Sequence, residues 1–158
     1  MAALLTYHGQ SGLGRRMLFH EVQDQVQHRA SLLLAGRFDD LSLEYLFPLP
    51  IYLNNHLLAF GDASQGIERA SAMRDIFAKR QIETLTITVL AIEIPRSGRF
   101  RVWADWHAIS RQSDRSRRLG LTYFMRDTGH GIRSEMLQYH THGRSAPARI
   151  PRAQTSHA

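Results

Sequence analysis

Asp105 and His107 lie two residues apart in a run of alternating apolar and polar side chains, which places a carboxylate and an imidazole on one face of one strand. A pair of that kind can relay a proton. His140 is the strongest single candidate for a general acid or base, because an imidazole titrates near neutral pH. Tyr123 adds a phenol able to donate to a substrate carbonyl. His140 and His142 also share a face, but two imidazoles without a third ligand make no defined metal site, and no metal or other cofactor is expected. The absence of cysteine excludes disulfides, thiolate metal sites and cysteine nucleophiles. Gly9, Gly12 and Gly14 follow no strand and so form no dinucleotide fingerprint, and no nucleophile elbow or phosphate loop is present. Hydride and phosphoryl transfer have no support.

Four alternating runs must position these groups, over 84–94, 100–111, 118–127 and 132–142. Turn-rich segments at 95–98, 112–116 and 127–131 join them, which makes the strands antiparallel. Phe100, Val102, Ala104, Trp106 and Ala108 form one wholly apolar face, the inner one, and leave Trp103, Asp105 and His107 outside. The same parity turns Leu85, Ile87, Val89 and Ala91 inward with Glu93 near the mouth, and Leu119, Leu121, Tyr123 and Met125 inward on the third run. On the last run Ile132, Ser134, Met136, Gln138 and His140 take the inner face.

An apolar cup walled by Tyr52, Trp106, Tyr123, Met125, Gln138 and His140 has the make-up of a small-molecule site, although aromatics and methionines at inward positions also make up any core. Its catalytic candidates are His140 and Tyr123, joined by Asp105 and His107 if a β-bulge turns their strand over. The outer face carries Trp103, Ile109, Phe124, Leu137 and Tyr139, an apolar patch suited to a homodimer interface, with Thr84, Thr86 and Thr88 at its margin.

The first half supplies the layer that covers the sheet. Phe19, Val22, Val26, Ala30, Leu33 and Leu34 recur at helical intervals over 18–35, and Gly36 suits the stop. Asp39 or Asp40 caps a short helix through Leu46, which Pro48 and Pro50 end. Two short strands, 49–53 and 56–60, flank the Asn54-Asn55 turn, and a helix to about Arg80 buries Ile67, Ala70, Met73, Ile76 and Phe77. This organisation predicts one domain over 17–142, a flexible leader at 1–16 and a disordered tail at 143–158. The net charge of +6 belongs to those ends, where Arg15, Arg16, Arg144, Arg149 and Arg152 lie. The nearly neutral middle argues against a specific nucleic-acid partner, and no apolar run is long enough to span a membrane, so a cytoplasmic protein is expected.

In its order of helix, short helix, two short strands, helix and four long antiparallel strands, the chain resembles the NTF2-like superfamily from Leu18 to His142. Gly36-Arg37-Phe38-Asp39-Asp40-Leu41 looks like the link between that family's first two helices, and Phe60-Gly61-Asp62 ahead of Ile67 looks like its entry to the third. The resemblance implies an α+β cone in which a curved, mostly antiparallel sheet of about six strands wraps two or three helices. Its members include SnoaL-type polyketide cyclases, ketosteroid isomerase, scytalone dehydratase and the small subunits of ring-hydroxylating dioxygenases. It implies an apolar pocket for a small hydrophobic or carbonyl-containing molecule, with cofactor-independent cyclase, isomerase or dehydratase chemistry. The alternative it implies is a non-catalytic homodimeric module or accessory subunit, because one cone hosts all of these.

Overall fold

A computed structural model describes residues 19–111 and 113–140, with the side chains of 113–116 excepted. The expectations for 1–16 and for 141–158, His142 included, lie outside the described residues. Helix α1 (Phe19–Ala35) buries Val22, Val26, Arg29, Ala30, Leu32 and Leu33, while Phe19 is exposed at its first turn. Gly36, at φ 71°, ends it: the Gly36 and Arg37 amides donate to Leu33 and Leu32 carbonyls, a closure that needs the left-handed backbone glycine allows. Helix α2 (Phe38–Ser42) starts two residues earlier than a cap at Asp39 would place it and ends short of Leu46, with Arg37 at its N-cap and Asp40 accepting from the Arg37 guanidinium.

Strands β1 (Leu49–Leu53) and β2 (His56–Phe60) form the expected hairpin, with Asn54 at φ 55°. Helix α3 (Ala63–Lys79) is capped by Asp62, whose carboxylate accepts from the Gln65 amide, while the Gln65 side chain accepts from the Gly61 amide. Ala70, Met73 and Phe77 pack on the core, but Ile76 is exposed. The long strands are β3 (Ile82–Ile92), β4 (Arg99–Ser110), β5 (Ser113–Asp127) and β6 (Ile132–His140). By its backbone β5 begins inside the segment expected to be a loop. Ser97 and Gly98, both at positive φ, make the two-residue turn of the β3–β4 hairpin.

The six strands lie in the order β2-β1-β6-β5-β4-β3, antiparallel except where β1 meets β6. Helix α1 crosses the concave side and closes the β3 edge with two side chains. The Gln23 amide donates to the Ile87 carbonyl (2.7 Å) and accepts from the Val89 amide (2.8 Å). Gln27, one helical turn on, does the same with the Leu85 carbonyl (3.0 Å) and the Ile87 amide (2.8 Å). Edge groups that would otherwise invite another strand are thereby answered.

Bulges decide the faces. On β4 and β5 the expected parity holds: Phe100, Val102, Ala104, Trp106, Leu121, Tyr123 and Met125 are buried. On β3 an extra residue at Leu90 shifts the register, so Ala91 stands beside Trp103 on the outer face. Glu93 therefore pairs with Arg101 outside instead of lining the mouth. On β6 the extra residue is Glu135: Ser134 pairs with Met125, but Met136 pairs with Phe124. Beyond that bulge every side chain is reversed. Leu137 and Tyr139 are buried in the core, and Met136, Gln138 and His140 face outward. Among the described residues no helix is long and apolar enough to cross a membrane.

Candidate ligand cup

A small cavity opens between α2, α3, β1 and the end of β6, with a volume of about 70 Å³. That is about half the size of an apolar cavity known to take benzene, ~150 Å³. Leu33, Leu41, Phe47, Ile51, Met73 and Leu137 supply its apolar wall. Trp106 reaches it from β4, packed edge-to-face against Tyr139 with ring centres 6.4 Å apart. Trp106 turns its indole N–H away from the cup and donates to the Tyr123 hydroxyl at 2.9 Å. Polar groups on the wall are few: Ser42, whose hydroxyl donates to the Asp39 carbonyl, the phenols of Tyr45 and Tyr139, and Arg69.

Tyr45 is held by a buried cation. Arg29 is 1% exposed, and its guanidinium lies between the rings of Tyr45 and Tyr123, 5.3 and 5.4 Å from their centres. Its Nε donates to the Glu44 carboxylate (3.1 Å), one Nη to the Ser134 hydroxyl (2.6 Å) and the other to the Glu44 carbonyl (3.3 Å). Ser134 donates in turn to the Met125 sulfur (3.2 Å). The Leu46 amide donates to the Ser134 carbonyl and the Ser134 amide to the Glu44 carbonyl, so the strand segment before the β6 bulge is stitched to the chain carrying Tyr45.

Burial raises the pKa of Tyr45, Tyr139 and Tyr123 above the ordinary phenol value. Arg29 opposes the rise at Tyr45 and Tyr123, and Arg69 opposes it at Tyr139. All three phenols stay protonated at neutral pH and are therefore donors. Among the described residues neither the Tyr45 nor the Tyr139 hydroxyl has a hydrogen-bond partner. The cup thus combines apolar walls with two unanswered donors.

Solved structures share this architecture. An NTF2-like protein of unknown function from Shewanella oneidensis MR-1 aligns with a TM-score of 0.60 at 12% identity, over 76% of this chain and 96% of that one. Aln2 from a Streptomyces species gives 0.61 at 12% identity, over 78% and 89% of the two chains. The beta subunit of benzoate 1,2-dioxygenase from Burkholderia mallei ATCC 23344 gives 0.57 at 10% identity, over 79% and 91%. The fold is NTF2-like. Neither a protein-family model nor a curated protein sequence matches the chain.

Within this NTF2-like cone the residues singled out from sequence separate into three groups. Trp106 lines the cup, and so does Tyr139, which parity alone had assigned to an outer interface. Tyr123 and Met125 lie behind the wall in the core, engaged with Trp106 and Ser134. Tyr52, Gln138, His140, Asp105 and His107 are on the convex side. Tyr52 pairs in register with Gln138 and is 36% exposed, and the His140 Nε2 lies 3.0 Å from the Thr122 hydroxyl. Asp105 and His107 follow β4 parity without a bulge, and the His107 Nε2 is buried with no hydrogen-bond partner among the described residues. Leu137 leaves the expected interface for the core, whereas Trp103 and Phe124 remain outside. Among the described residues no three His, Asp or Glu side chains converge on one point. Tyr45 and Arg69 were not anticipated, since Tyr45 follows a short helix in irregular chain and Arg69 sits on a helix read only for its apolar stripe.

Proposed function

We propose that this protein binds a small, largely apolar molecule bearing a carbonyl or similar oxygen acceptor, in the cup bounded by Tyr45, Trp106 and Tyr139. The observation that carries this is the pair of phenol donors, without a hydrogen-bond partner among the described residues, on an otherwise apolar wall, where a ligand oxygen can take both in place of solvent while its apolar body is buried. A phenol pair can polarise a carbonyl, which is one half of isomerase or cyclase chemistry. The other half is a base, and no carboxylate or imidazole is among the described residues of the wall. Binding is therefore the activity the cup supports best.

The test is titration of the full chain with 4-methylpentan-2-one, followed through the Trp106 indole N–H resonance. Saturable movement of that signal is expected, weakened about tenfold when Tyr45 and Tyr139 are both changed to Phe, the worth of one to two hydrogen bonds. An indole signal that stays fixed throughout overturns the proposal.

A second reading, an interaction module, has its own support. Trp103, Phe124 and Met136 stay together on the convex sheet face after the β6 reversal, each only half-buried. We propose that this face pairs two copies of the chain, or seats the chain as an accessory subunit. The likeness to a dioxygenase beta subunit is compatible with either arrangement.

A further inference from the structure

Among the described residues Arg69 is the only charged side chain on the cup wall. It projects from α3, is half-buried, and borders both the cup and a shallower depression formed with Ala59, Phe60, Gln65, Glu68 and Ala72. Some arginines of the fold are paired, Arg29 with Glu44, Arg37 with Asp40, Arg99 with Glu135 and Arg101 with Glu93, and most of those without a partner among the described residues, such as Arg80, Arg96, Arg118 and Arg126, are exposed to water. Arg69 has no hydrogen bond or ion pair among the described residues. Arg69 and Tyr139 line the same cavity, and the cation opposes the rise that burial gives the Tyr139 phenol's pKa. A partly desolvated guanidinium with nothing to bind is unfavourable, and its planar fork matches a carboxylate better than any neutral oxygen.

We propose that Arg69 is the anion anchor of the cup and that the ligand class is a small monocarboxylate with a short, branched alkyl tail. The carboxylate takes the guanidinium fork, with the Tyr139 hydroxyl as a second donor, and the tail enters the apolar space between Trp106, Leu137 and Met73. The size of the cavity sets the tail: at about 70 Å³ it is too small for an aromatic ring to enter whole. This inference rests on the cup being a ligand site, and it narrows what the site selects.

Three probes of nearly equal shape separate the two ideas: 3-methylbutanoate, 3-methylbutanamide and 4-methylpentan-2-one, each titrated into the full chain at neutral pH. The carboxylate is expected to bind about tenfold or more tighter than the amide, the gain typical of a charge-assisted hydrogen bond over a neutral one. Arg69→Gln is expected to remove that preference, so that carboxylate and amide then bind within about twofold of each other. Equal binding of carboxylate and amide to the wild type overturns the role of Arg69 and leaves the cup intact as a site. A carboxylate preference that survives Arg69→Gln does the same. Failure of all three probes removes both ideas. Should Arg69→Gln not fold, Arg69→Ala is read by the same two outcomes, and equal binding to the wild type decides against Arg69 without any variant.

Discussion

Arg29 places a full charge inside an apolar core, and the surroundings explain how it is tolerated. Two aromatic faces sandwich the guanidinium, a carboxylate accepts from its Nε, and hydroxyl and carbonyl oxygens accept from its remaining nitrogens. Removing the guanidinium takes a donor from the buried Ser134 hydroxyl and leaves the Glu44 carboxylate with Gln25 to answer it. Arg29→Met is therefore expected to destabilise the fold by about 3 kcal/mol, as for other broken buried pairs, measured by urea unfolding. Arg29→Lys should recover little of this, because an ammonium cannot reach the Glu44 carboxylate and the Ser134 hydroxyl in one plane. A loss below about 0.5 kcal/mol, the range of ordinary surface changes, would show that the network carries no stability. In the sequence Arg29 falls on the apolar stripe of its helix between Val26 and Leu33, and that position was the available signal. Arginines are so seldom fully buried that the stripe reads more naturally without it. The buried phenols add a pH dependence. Their folded-state pKa values are raised, so the stability they contribute is present below about pH 10, their ordinary unfolded value, and is lost as pH rises toward the folded ones. Phenolate absorbance from these groups should appear together with loss of ellipticity on alkaline titration, and ionisation well before unfolding would contradict their burial.

At the scale of elements, the cup depends on a close contact between α3 and the segment before β1. A Cβ on Gly66 would lie 2.8 Å from the Phe47 ring, so the ring seats against bare helix backbone. Gly66→Ala improves helix propensity by about 1 kcal/mol but must push that ring, which lines the cup. Ketone binding is expected to fall sharply while the thermal midpoint holds or rises, a pairing that general destabilisation cannot produce. The start of α3 has its own signature. Hydrogen bonds from the Gln65 amide and the Ser64 hydroxyl lower the Asp62 pKa, so its capping contribution is present above about pH 4 and lost as pH falls through the depressed folded value. Asp62→Asn keeps an acceptor there and should flatten the acid limb of a melting-temperature profile; an unchanged limb would show that the cap does not titrate. The elements themselves were legible from periodicity: three helices, the short hairpin and four long strands, with β4 and β5 facing as their alternation dictates. What alternation cannot register is an inserted residue. Glu135 on β6 looks like one more polar position, yet it reverses Leu137, Gln138, Tyr139 and His140, and so removes two of the six residues expected to wall the cup. Nor does a sequence show that Gln23 and Gln27 serve a strand edge rather than water, because that pairing exists only once the sheet has curled onto α1.

For the whole molecule, the question is what covers the convex face of the cone. The concave face is filled by the helices and the β3 edge is answered by α1, whereas Trp103, Phe124 and Met136 form an apolar group on the convex face with no helix over it among the described residues, and Ile109 on the same strand as Trp103 is more exposed still. The group is trimmed by its neighbours. The Arg101 guanidinium lies 5.1 Å above the Trp103 ring, and the Glu93–Arg101 and Arg99–Glu135 pairs border it. An apolar centre with a charged rim and exposed Thr84, Thr86 and Thr88 beside it is the anatomy of an interface related by a two-fold axis, where one patch meets its own copy. With Leu137 and Tyr139 turned into the core, this patch is narrower than alternation alone implies, so a dimer formed through it should dissociate on dilution. The wild type is expected to sediment at twice the 18.1 kDa of one chain at high micromolar concentration and to shift toward one chain's mass as it is diluted. Trp103→Asp puts a carboxylate at the centre of the patch and should give the single-chain mass throughout. A wild type that sediments as one chain across the whole range eliminates this interface. Because the cup opens on the other side of the sheet, Trp103→Asp should leave ketone and carboxylate affinities unchanged. Ligand binding and self-association are thereby expected to be separable by mutation, and affinities that fell with the dimer would mean that each cup is completed by the second copy.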